Sequence, residues 1–202
     1  MFKKVSLYSK YYKDNFSNYE RNLLPMFKII NASINFDCKT FLDYGCGKGN
    51  LSELFKIKKK CTVYKYDPAI SEYSKLQKNI KVDLIANCDV MEHIPEDEID
   101  ETLKKMSSIS SKVFFNIYLK EAKTFLPNGE NAHCTIKPIN WWIGKISKFY
   151  NICTVIPTSY KNSLTIVTWK IGIFERMNIS LSNLSNTLNY YIFLLRTSIL
   201  KR

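Results

Sequence analysis

The sequence predicts an α/β domain built on a mostly parallel sheet that closes with an antiparallel strand, and three stretches carry that expectation. Phe41 to Ser52, FLDYGCGKGNLS, reads as the end of a buried strand, a glycine-rich turn and the start of a helix. The run CTVYKYD is a second short strand ending in Asp67, 24 positions beyond Asp43, a separation that suits one crossover helix between adjacent parallel strands. VDLIANCDVMEHIP then gives an apolar strand over 82–86, followed by Asp89, Glu92, His93 and Pro95.

Ahead of the glycine turn, Tyr8, Tyr11, Tyr12 and Tyr19 lie in a polar stretch that leads to Leu23, Leu24, Phe27 and Ile30. Two helices separated near Pro25 follow from this pattern, placed to cap the site, with one tyrosine ring able to line it. In the turn itself, Gly45, Gly47 and Gly49 let the backbone bend sharply against a ligand, and Asn50 to Lys56 carries helical periodicity. Asp43 stands two residues before the first glycine, at the strand tip. There a carboxylate can accept a hydrogen bond from a cationic amino group, whereas it would repel the pyrophosphate of a dinucleotide.

With these residues in view, the chain resembles the class I S-adenosylmethionine (SAM)-dependent methyltransferases. Their first motif has this acid and these glycines beneath the methionine part of the cofactor, and their fourth-strand motif, often Asp-Val-Leu-Glu-His-Ile, is similar to the run from Asp89 to Ile94. The resemblance implies a Rossmann-like sheet, SAM as cofactor and S-adenosylhomocysteine (SAH) as product. It implies cofactor contacts from Asp43, Tyr44, Gly45, Cys46 and Gly47, from Asp67 and Pro68 at the ribose, and from Asp89 and Val90. One departure stands out. Only 15 residues, Pro68 to Val82, separate Asp67 from the next strand, so the usual third strand is expected to be missing, together with the acid that normally meets the adenine amino group.

After Pro95, Glu96 to Glu98 favour a helix start and Lys104 and Lys105 a helix end, with Ile99, Leu103 and Met106 on one face. A strand over 113–119 follows. The segment LPNGENAHCTIKPINWW, Leu126 to Trp142, then makes a turn at Asn128 and Gly129, carries His133 on a loop and restarts a helix at Pro138. Loops leaving the C-terminal ends of parallel strands are where open α/β sheets bind ligands. The same segment resembles Leu-Pro-(Asp/Asn)-Gly-x-Asn-Ala-His runs of small bacterial methyltransferases associated with surface-glycan and capsule synthesis. Residues 150–157 and 163–170 read as a closing strand pair.

His93 and His133 are the two histidines of the chain, and both fall in segments already implicated. Methyl transfer is an in-line displacement, so a hydroxyl acceptor must be aligned and lose its proton near the transition state; a neutral imidazole near pH 7 can take it. His93 and His133 are therefore the catalytic expectations. No resident metal is expected. The alternative is a divalent ion on Asp89, Glu92, His93 and His133, a set that resembles the metal site of the small-RNA 3′-end 2′-O-methyltransferases but has aspartate at its first position.

Length and composition, 202 residues with 46% hydrophobic, fit one core: residues 1–36 as a helical cap, 37–175 as the SAM-binding unit and 176–202 as a helical tail. Neither a secretory signal nor some 18 consecutive apolar residues occurs, and the six cysteines form no Cys-x-x-Cys pair, so a cytoplasmic protein with reduced thiols is expected. Net charge is +12, of which +11 lies in residues 102–202 (14 Lys and Arg against 3 Asp and Glu), which points to a small anionic acceptor or, as a second class, nucleic acid. Apolar residues at 181, 184, 188, 191, 192, 195 and 199 draw one helical stripe. That stripe suits packing on its own domain or across a homodimer, or weak contact with a membrane surface near Arg196, Lys201 and Arg202, while the compressed adenine side also permits a silent SAM-binding partner of another methyltransferase.

Overall fold

The computed structural model describes residues 4–15 and 22–199. Six strands form one sheet in the order β2-β1-β3-β4-β6-β5: β1 is Thr40–Tyr44, β2 Thr62–Tyr66, β3 Leu84–Cys88, β4 Val113–Tyr118, β5 Thr154–Val155 and β6 Ser163–Val167. The first four strands run parallel, while β6 is antiparallel to both β4 and β5. The expected Rossmann-like sheet is present, and β2 forms its edge where a further parallel strand would otherwise lie. The chain between Asp67 and β3 holds a short 3-10 turn, Ser71–Tyr73, and no strand.

Alternation of side chains along each strand divides the core into two layers. Leu42, Ile85, Phe115 and Ile117 face one side, where they meet Met106 of α4 (Ile99–Ile109) and Trp142 and Ile146 of α5 (Ile139–Ser147). Phe41, Leu84, Ala86 and Phe114 face the other, against α2 (Leu24–Ser33), α3 (Asn50–Leu54) and α6 (Ile173–Ile199). Phe41 and Phe55 stack there with ring centroids 3.7 Å apart. Pro25 occupies the first turn of α2, where its missing N–H costs nothing, and α1 (Val5–Asn15) precedes it. Tyr19 lies outside the described residues.

Several boundaries differ from the sequence expectation. The third parallel strand begins at Leu84 rather than Val82, because Asp83 is occupied otherwise: its Oδ2 accepts the backbone N–H groups of Lys39 and Thr40 and the Thr40 hydroxyl. The helix after Pro95 opens with a 3-10 turn, Glu96–Glu98, and continues to Ile109, so Lys104 and Lys105 sit in its middle. The penultimate strand shrinks to Thr154–Val155. None of the six cysteines is in a disulfide, and Cys38, Cys46 and Cys61 are buried. Among the described residues, no helix is long and apolar enough to cross a membrane.

Candidate functional site

The C-terminal ends of β1 to β4 open on one cavity of about 600 Å³, roofed by Tyr8, Tyr11 and Tyr12 of α1. Every residue expected at the site lines it: Asp43 to Gly47, Asp67, Pro68, Asp89, Val90, His93 and His133. Glu92 lines it as well.

On the β1–β2 side, backbone geometry explains the glycines. Gly45, Gly47 and Gly49 have φ of 85°, 51° and 79°, in the left-handed region that costs a residue with a Cβ. Tyr66 O at the end of β2 accepts the N–H groups of Gly45 and Cys46, at 2.7 and 3.1 Å, which pins the turn across the strand tips. Asp67 reinforces it, since Oδ2 accepts from Gly47 N at 3.0 Å and Oδ1 from Ala69 N at 3.0 Å. Burial pushes the Asp67 carboxyl upward, and these two backbone donors pull it partly back.

Asp43 is 4% exposed at the tip of β1. Its Oδ2 accepts both the N–H (3.1 Å) and the hydroxyl (2.7 Å) of Ser52, in the first turn of α3. Burial raises its pKa to about 6, against the pull of those Ser52 bonds. Among the described residues Oδ1 has no hydrogen-bond partner, so the cavity floor presents a carboxylate oxygen held ready for a cation.

The β3–β4 side carries the histidines. Asp89 has φ 55°, uncommon for a residue with a Cβ, and its N–H bonds to Asn116 O at 2.8 Å. Glu92 is fully buried and ties two elements together: Oε1 accepts the Tyr118 N–H at 3.0 Å, while its carbonyl accepts the N–H groups of Cys134 and Thr135. This brings the loop after β4 against the turn after β3. His93 Nδ1 lies 2.9 Å from Ala132 O, and His133 Nδ1 lies 2.6 Å from Lys120 O. A carbonyl only accepts, so each Nδ1 carries the hydrogen and each neutral ring keeps its lone pair on Nε2. The rings meet edge to face, with centroids 4.7 Å apart.

Tyr8 closes the site from α1. Its hydroxyl donates to Ala132 O at 2.5 Å and lies 3.3 Å from His93 Nδ1, and its ring packs against that imidazole. Glu92, His93 and His133 each bring one potential ligand atom within 4.8 Å of the others; Asp89 does not join that group. Sequence reasoning did not single out Ser52 or Tyr118. Ser52 could have been found from its place in the first helical turn behind the strand-tip acid, whereas Tyr118, whose ring lies 5.4 Å from that of His133, has only its position at the end of β4 as a signal.

Residues 11–142 match the sequence model of a family described as a methyltransferase domain. No curated protein matches the chain. Among solved structures it is similar to the DhpI–SAH complex, with a TM-score of 0.62 and 12% identity over 84% of this chain and 97% of that one. It is also similar to an O-methyltransferase family protein from Burkholderia thailandensis (TM-score 0.60, 12% identity, 85% and 64% of the two chains). A third is 1,6-didemethyltoxoflavin-N1-methyltransferase from the same organism, with bound 1,6-didemethyltoxoflavin and S-adenosylhomocysteine (TM-score 0.59, 13% identity, 82% and 88%). At these identities the likeness establishes a shared fold.

Proposed function

This chain belongs to the methyltransferase domain family, and on that premise we propose that it methylates a hydroxyl of a small anionic acceptor, phosphorylated or nucleotide-linked, on the way to a surface polysaccharide. SAM supplies a methyl group on a sulfonium, which leaves SAH as a neutral thioether when the acceptor oxygen attacks in line. The observation that carries this reading is that Asp43 and Asp67, at the tips of adjacent strands, share one cavity with His93 and His133.

The residues present fit the cofactor. Asp43 Oδ1 offers an acceptor to a cationic amino group, and the Asp67 carboxylate retains lone pairs for ribose hydroxyls beyond the two backbone bonds it accepts. Gly45 keeps the turn free of a side chain where a Cβ would strike Val90. At the acceptor end, Nε2 of His133 is the lone pair available to take the hydroxyl proton, and Lys120 O holds that tautomer. His93, fixed by Ala132 O and Tyr8, orients the neighbouring ring. Tyr8, Tyr11 and Tyr12 exclude water from above.

The anionic acceptor is supported by Lys48 and Lys123 on the cavity wall, where Lys4 is paired with Glu130, and by the basic C-terminal half. The surface-glycan assignment rests on the resemblance of the Leu126–His133 run. A cytoplasmic setting accords with six cysteines that form no disulfide. Calorimetric titration with SAM and SAH, followed by a SAH-release screen over sugar phosphates and nucleotide sugars, tests the proposal. Tight cofactor binding without turnover on any acceptor would instead favour a silent SAM-binding subunit of another methyltransferase.

A second reading has one observation in its favour, the proximity of Glu92, His93 and His133. Both imidazoles donate Nδ1–H to carbonyls, the arrangement that orients histidine ligands around a divalent ion. Such an ion would lower the pKa of an acceptor hydroxyl, including a nucleic-acid 2′-OH. Activity abolished by chelator and restored by manganese or zinc would select this reading; activity indifferent to chelator would remove it.

A further inference from the structure

The long C-terminal helix presents two opposite faces, and only one of them is satisfied. Ile179 and Asn186 of α6 are buried, and the helix packs on α2 along that side. Asn186 Nδ2 donates to Pro25 O, and Lys28 Nζ donates to the Ser185 hydroxyl. At 100° per residue, the opposite face carries Phe174, Met177, Leu181, Leu184, Leu188 and Tyr191. These six side chains are 58–75% exposed. Their spacing is three, four, three, four, three, the alternation of a heptad seam rather than the wider stripe of a helix lying on a globular core. The structure therefore extends the stripe read from the sequence upstream by Phe174 and Met177; the side chains of Leu195 and Ile199 fall outside the described residues.

We propose that this seam pairs with the same seam of a second copy of the chain, antiparallel, so that Leu181 of each copy meets Leu184 of the other. The spacing is palindromic. Reversing one helix therefore also brings Phe174 to Tyr191 and Met177 to Leu188, giving the self-complementary patch that a two-fold interface requires. Covering the six side chains of this face would remove on the order of 600 Å² per subunit, toward the lower end of specific interfaces. Charge favours the antiparallel sense. A parallel pair would set two bodies of net charge +12 at the same end.

The flanks of the seam also argue against a lipid surface. Helices that lie on membranes carry a polar face rich in Lys and Arg. Between Met177 and Phe193, α6 has none, and its polar positions are Asn, Ser and Thr.

Sedimentation velocity of the full chain tests the proposal. The expected result is a species of twice the 23.7 kDa chain mass, converted to monomer by L181E or L184E with circular dichroism and SAM affinity unchanged. L181K combined with L184E is expected to restore dimer relative to L181K alone, because antiparallel pairing sets the two introduced charges of opposite sign against each other; no recovery would overturn the antiparallel arrangement. A wild-type monomer at the highest attainable concentration would overturn the pairing itself, and if that monomer floats with phosphatidylglycerol vesicles the seam is a lipid contact. These readouts do not depend on methyl transfer, so they stand or fall apart from the catalytic reading.

Discussion

Gly45 and Val90 touch where β1 and β3 end, so closely that a Cβ built on Gly45 would lie 2.3 Å from Val90 Cγ2 and 3.0 Å from Cγ1. The contact stacks the cofactor turn on the segment that leads to the histidines. Since φ at Gly45 is 85°, alanine there would meet both backbone strain and the branched Val90 side chain, which would have to shift into the cavity. We expect G45A to lower stability by about 2–4 kcal/mol and to weaken SAM binding strongly. The G45A/V90A pair should recover part of the stability loss while keeping the strained φ. Urea unfolding of the three proteins, with SAH titration of each, checks this.

Asp43 makes the site pH-dependent. Its carboxyl is raised to about 6, above the ordinary 3.8, so the folded state holds the proton more tightly than the unfolded chain does. The stability this contributes is complete below about pH 4 and is lost as pH rises through 6, a change of about 3 kcal/mol. D43N, neutral throughout, should be free of that decline, and denaturation midpoints from pH 4 to 7.5 would reveal it. Cofactor affinity should move the other way. A cationic amino group selects the ionised carboxylate, so binding should strengthen by roughly tenfold per unit as pH approaches 6 from below and then level off; a flat profile for wild type would separate Asp43 from the amino group.

Asp67 serves both the turn and the ligand. D67A should weaken SAH binding by roughly 100-fold, because the two backbone donors at Gly47 and Ala69 lose their acceptor along with the ribose hydroxyls. D67N keeps one acceptor oxygen and should fall between the two. Calorimetry of the three proteins at one pH is sufficient.

Much of the cofactor side was legible in the sequence because backbone geometry demands particular residues there. Gly45, Gly47 and Gly49 all adopt left-handed φ, and the short interval after Asp67 has room for no further strand. Other features depend on distant partners and leave no local pattern. The strand start at Leu84 follows from Asp83 reaching back to Thr40, 43 residues earlier. The union of His93 with the Ala132–Thr135 loop follows from Glu92 accepting bonds from Tyr118, Cys134 and Thr135. Asp89 at positive φ gives no compositional sign at all. The helical stripe of α6 is legible in the sequence only from Leu181 onward, because Glu175 and Arg176 stand between Phe174 and Met177; the three-dimensional face makes those two apolar residues continuous with it.

The histidines should separate by kinetic signature. H133A should lower kcat by roughly 100- to 10,000-fold while leaving the Kd for SAM nearly unchanged, since its lone pair serves the acceptor proton. H93A should act through position, disturbing the Ala132 and Tyr8 contacts, and Y8F should reproduce a smaller part of that effect. Single-turnover rates across pH 5 to 9 distinguish them: loss of the base should abolish the low-pH limb of the profile, whereas mispositioning should lower the whole curve.

The absent third strand also has a consequence for how crowded copies of this protein treat one another. With β2 at the margin, one side of Thr62–Tyr66 has no strand partner among the described residues, leaving a template onto which another extended chain could add. The local sequence opposes that growth. Lys58, Lys59 and Lys60 lead into the strand, so a second copy approaching edge to edge would bring like charges together before any ladder could form. Shortening the sheet has therefore placed on a few lysines the gatekeeping against aggregation that an additional strand would have moved elsewhere.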